Sequence, residues 1–112
     1  MAGSVAAQLD AVHDRGAISA REVAELLDTT PQIVARWRMG KVEPPPDRLQ
    51  RLLALEWLIG ELSGFYEPDE AHLWLFAPHR LLGGARPAER IREGNVDDVL
   101  ALISQLQDGA AI

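Results

Sequence analysis

The sequence contains no cysteine, which excludes a disulfide frame, a thiolate metal site and a cysteine nucleophile. It also lacks any uninterrupted apolar run approaching the roughly 20 residues of a membrane-spanning helix. Its opening segment, MAGSVAAQLDAV, has neither the basic residues nor the long apolar stretch of a secretion signal. These absences lead us to expect a cytoplasmic protein without membrane contact. Aromatic residues make up only 5% of the chain, and 11 Lys and Arg face 17 Asp and Glu, for a formal net charge of −6. A length of 112 residues excludes a large multidomain enzyme and suits one compact unit or two small ones sharing a core. With 47% apolar and 25% charged residues the chain has the composition of a folded protein.

What is present is punctuated helix. Val5, Leu9 and Val12 recur at helical spacing, and Gly16 is the expected stop of that first element. Ser19 with Glu22 three residues on reads as a capping box opening a second helix to about Leu27. Thr30-Pro31 reads as a cap with proline at the first helical position, and the Ile33, Val34, Trp37 stripe runs to Gly40, a left-handed stop. A fourth helix from Asp47 has an unusually wide apolar face, including Leu49, Leu52, Leu53, Leu55, Trp57, Leu58 and Ile59, as expected of a central scaffold. Shorter helices follow at Asp69, at Pro87 and after Asn95, separated by Pro78, Gly83-Gly84 and Gly94. Sustained alternation bounded by hairpin turns is absent, so the expected fold is all-α with about seven helices.

The gap of only "DTT" between the second and third helices forces a sharp bend, the spacing of a helix-turn-helix. With Val23, Ala24 and Leu27 packed on Val34 and Trp37, the residues Thr30, Gln32 and Arg36 fall on the open face, Arg38 stands beside them and Lys41 follows the end. Glutamine suits adenine and arginine guanine, while a threonine at the start and a lysine past the end suit phosphate. Charge is segregated accordingly: residues 29–51 carry a balance of +3, residues 61–112 one of −5. Such helix pairs also occur in proteins that never touch DNA; if DNA is bound, a basic patch this small implies weak, steeply salt-dependent binding by a monomer, and hence dimerisation or assembly with a partner.

No catalytic constellation is legible. Ser63 and Ser104 have no matching His–Asp pattern, and Gly83-Gly84 is not a phosphate loop. His13, His72 and His79 lack the spacing of a helical zinc pair, and the acids Glu67, Asp69 and Glu70 are explained by a helix dipole without a metal. No cofactor is expected. Trp37, Trp57 and Trp74 each lie in an apolar stripe and are expected in the core.

The segment ISAREVAELLDTTPQIVARWRMGKVEP is similar to the Xre-type, lambda-repressor-like helix-turn-helix in its Ala24, its Arg36-Trp37 pair and its Gly40-Lys41 stop. It departs from that pattern at Asp28, where glycine is usual, although aspartate tolerates left-handed geometry better than most residues. The stretch WLFAPHRLLGGARPAERIREGNVDDVLALISQLQDG resembles the C-terminal domain of the Xre/ParS/MbcA antitoxins through Trp74, Pro78, Leu82-Gly83, Pro87, Gly94, Val99 and Gly109. The two resemblances cover most of residues 17–109. They imply a helix-turn-helix region over 1–60 and a toxin-binding domain over 61–112. The implied function is an antitoxin that neutralises a RES-domain toxin, an enzyme that destroys NAD, and that represses its own operon. The implied partners are that toxin and operator DNA, with a homodimer and a hetero-oligomer as assemblies. Trp74 and the tail Asp108, Gly109, Ala110, Ala111 and Ile112 are the expected toxin contacts, the slim apolar tail suiting an electropositive nucleotide cleft. Two readings of another class stay open: a free-standing transcriptional regulator, and an adaptor whose helix-turn-helix is vestigial.

Overall fold

The computed structural model describes residues 4–108. Among the described residues the chain is all-helical: α1 (Val5–Gly16), α2 (Ala20–Leu26), α3 (Pro31–Arg38), α4 (Pro46–Leu62), α5 (Pro68–Phe76), a 3-10 turn (Arg80–Leu82), α6 (Pro87–Arg92) and α7 (Val96–Gln107). The starts are set by local chemistry. At α2 the Ser19 hydroxyl accepts from the Glu22 N–H at 3.2 Å, while the Ser19 N–H donates to Glu22 Oε1 at 2.9 Å. Helices α3, α4, α5 and α6 all open on proline, whose missing N–H is one that a first-turn residue leaves unpaired in any case.

The end of α1 differs from the sequence expectation. Gly16 is the last helical residue, and Ala17, at φ +50°, makes the left-handed turn. Gly16 serves packing instead: a Cβ there would stand 2.9 Å from Ile18 and 3.0 Å from Ile59, so the glycine lets α1 close onto α4.

Helix α4 is the scaffold. Leu52, Leu55, Leu58, Ile59 and Leu62 are buried and join one continuous core with Val12 of α1, Leu75 of α5, Ile91 of α6 and Ile103 of α7. Helices α1 and α7 both pack on α4, α3 packs on α1 and α2, and α6 packs on α2, α5 and α7. The expected boundary at residue 60/61 falls in the last part of α4, so both regions share that helix. One core expectation fails: Trp37 and Trp74 are buried, but Trp57 is 50% exposed. The apolar stripe of α4 is wider than the arc its neighbours cover, and Trp57 lies beyond that arc with Leu53.

Candidate functional site

The first candidate surface is α3. Thr30 caps it, its hydroxyl accepting from the Ile33 N–H at 3.3 Å. Val34 and Trp37 turn inward and are buried, leaving Thr30, Gln32, Arg36, Arg38 and Lys41 exposed. Gln32 and Arg36 are one turn apart on the outward face. Arg38 is not free to the same degree, because its guanidinium pairs with Asp10 of α1. The helix ends by two bonds, Gly40 N–H to the Trp37 carbonyl at 3.1 Å and Lys41 N–H to the Arg36 carbonyl at 3.0 Å, with Gly40 at φ +75°. Beside this face runs a groove walled by Ile33, Trp37, Val42 and Pro45 and edged by Arg36 and Arg48.

The corner between α2 and α3 is built the same way with aspartate in place of glycine. Asp28 sits at φ +53°, and the Thr29 N–H reaches back to the Ala24 carbonyl at 2.9 Å. The Asp28 carbonyl accepts from Arg48 at 3.2 Å, and its carboxylate lies 3.6 Å from Arg48 and 3.9 Å from Arg92 of α6. The other end of α2 is also tied down, by His72 of α5 to the Glu22 carboxylate at 2.8 Å. Partial burial pushes the Glu22 carboxyl up, but hydrogen bonds from the Ser19 backbone and His72, the charge of His72 and the Ser19 hydroxyl outweigh it, leaving the group below its ordinary value. These two long-range links were missed by sequence reasoning, since the partners lie 50 and 64 positions apart.

The second candidate surface is the C-terminal half. Trp74 packs against His79 with ring centroids 4.8 Å apart and the planes tilted by 53°, and His79 Nε2 donates to the Trp74 carbonyl at 3.0 Å. Trp74 is only 7% exposed, so it braces the corner between α5 and the 3-10 turn rather than presenting its ring outward. Gly83 and Gly84 carry the chain out of that turn at positive φ. Pro87 opens α6, where the Arg86 N–H and side chain both bond Glu89; these bonds and the neighbouring Arg86 and Arg90 hold the Glu89 carboxyl below its ordinary value. Gly94 ends α6, and Val99, Leu102 and Ile103 seat α7 in the core. Asp108 is exposed, its N–H donating to the Ser104 carbonyl at 3.0 Å. Gly109, Ala110, Ala111 and Ile112 lie outside the described residues. The histidines serve packing: His13 donates from Nδ1 to the Ile18 carbonyl at 2.7 Å, and no cluster of three metal-ligating side chains occurs among the described residues. No described helix is long and apolar enough to cross a membrane.

Comparison with known proteins gives this arrangement its family. The mycobacterial cidal antitoxins MbcA of Mycobacterium tuberculosis and Mycobacterium bovis are each 35% identical to the chain over 99 residues, 88% of either sequence. A chain of the crystal structure of the M. tuberculosis MbcT-MbcA toxin-antitoxin complex superposes with a TM-score of 0.82 at 34% identity, covering 96% of both chains. Residues 54–109 match the antitoxin Xre/MbcA/ParS C-terminal toxin-binding domain, and the chain belongs to that antitoxin family.

Proposed function

We propose that this chain is the antitoxin of a toxin–antitoxin pair, that its partner is a RES-domain toxin consuming NAD, and that it represses its own operon through α2 and α3 acting as a helix-turn-helix. The observation that carries the first part is the likeness, along nearly the whole chain, to a component of a toxin–antitoxin complex. The relatives are antitoxins rather than enzymes, and the chain itself acts by binding. Trp74 contributes by holding the α5 corner in place, while Asp108 and the residues 109–112 that follow it in the sequence are the segment we assign to the toxin's NAD cleft. The negative charge of residues 61–112 suits a cleft built for an anionic dinucleotide.

Support for DNA binding comes from the outward placement of Gln32 in the first turn of α3 and Arg36 in its last turn, with Thr30 and Lys41 at the two ends to meet phosphate. The patch is small, so a homodimer or the toxin complex is the species that binds the operator. Co-expression tests the proposal in cells: the toxin alone should arrest growth, and the chain should restore it and co-purify with the toxin. Arrest that persists with the chain present, together with promoter binding by the chain, would leave a free-standing regulator instead.

A further inference from the structure

We propose that the outward ridge of α4 is a docking face for an amphipathic helix of the toxin whose edges carry Lys or Arg, an inference that rests on the antitoxin reading above. The ridge consists of Gln50, Leu53, Trp57 and Gly60, with Gly64 at the next interval just past the helix. Their alternating three- and four-residue spacing is that of a helix-to-helix seam. They lie opposite the buried face of Leu52, Leu55, Leu58, Ile59 and Leu62. Leu53 is 44% exposed and Trp57 50%, so two large apolar side chains stand uncovered on a helix that is otherwise the centre of the core.

Gly60 fits the same reading. A glycine inside a helix weakens it, and nothing among the described residues requires one here: of these, a Cβ at 60 would meet the tip of Arg15 alone, at the ordinary contact distance of 3.9 Å. The missing side chain leaves a notch beside Trp57 for a residue of an approaching helix. Trp57 and Gly60 also fall inside the matched toxin-binding domain, which makes the ridge continuous with it.

Charge selects the occupant. Glu56 borders the ridge on the α1 side and Glu61 on the α7 side, where Gln107 donates to Glu61 and Asp108 follows. In a parallel pair a second copy would set Glu56 against Glu61, and in an antiparallel pair each glutamate against its own kind, within a chain already at −6. A helix with basic edges turns both repulsions into attractions.

The experiment is calorimetric titration of the full-length chain with a purified RES-domain toxin from the same genome. The parent is compared with Leu53→Ala/Trp57→Ala, Gly60→Leu and Glu56→Lys/Glu61→Lys, and each variant's melting curve and mass in solution are recorded. We expect each to lose about tenfold or more in affinity with its melt nearly unchanged, and the charge reversal also to lose the salt dependence. Parent-like affinity in all three would overturn the proposal, as would a fall in the free chain's oligomeric mass with toxin affinity intact, which would assign the ridge to a second copy. Failure of the parent itself to bind would instead sink the antitoxin reading, and this inference with it.

Discussion

Single residues show where apolar character and burial part company. Trp57 and Trp74 are the same residue type in similar stripes, yet one is half-exposed and the other packed against His79. Truncation should therefore cost unequally. Trp74→Ala should destabilise the fold by about 3–5 kcal/mol, the range for emptying a buried tryptophan site, whereas Trp57→Ala should cost less than about 1 kcal/mol because no cavity opens. Thermal melting of the two variants checks this, and equal losses would contradict the placement of Trp57. Asp28 shows a second kind of difference. The helix-turn-helix pattern that this segment resembles has glycine there, and the aspartate holds φ +53° while its carbonyl and carboxylate engage Arg48, so the departure is absorbed locally and the corner keeps its shape.

Among the elements, what was legible in the sequence is what local chemistry decides. The Ser19–Glu22 box, the Thr30-Pro31 start and the Gly40 stop all appear where the residues place them, because each depends on bonds between positions at most five apart. The outer side of α4 was not legible, since its pattern gives the width of the apolar stripe but not how much of it the neighbouring helices cover. Nor were the ties at the two ends of α2, which need tertiary placement. The Glu22 tie has a pH signature. Its folded value lies below the ordinary 4.5, so its stabilisation is complete above that pH and is lost as pH falls through the folded value. Glu22→Gln should consequently flatten the acid side of a plot of melting temperature against pH from about 6 to about 3, and an unchanged slope would show that the Ser19 and His72 contacts of the Glu22 carboxylate together contribute nothing. For α3, Gln32→Ala and Arg36→Ala should relax sequence preference on the chain's own promoter at about 1–3 kcal/mol each, while Lys41→Ala weakens all sequences alike. Equal, sequence-independent losses in gel-shift titrations would remove the base-reading role.

For the molecule as a whole, the proposed function reconciles an acidic chain with a basic helix by assigning two surfaces to two partners. The positive balance of residues 29–51 gathers on and after α3, and the negative balance lies in the half that matches the toxin-binding domain. Both surfaces are carried by one continuous core around α4, and α2 is joined to the C-terminal half at both ends by Glu22–His72 and Asp28–Arg92. The two regions are thus packed as a unit rather than strung on a linker. The central claim is neutralisation, and the most direct measurement is the rate of NAD loss catalysed by the purified toxin as the purified chain is titrated in. The rate should fall to background once the chain reaches the toxin's concentration; a rate unchanged by a large excess of chain would contradict the account.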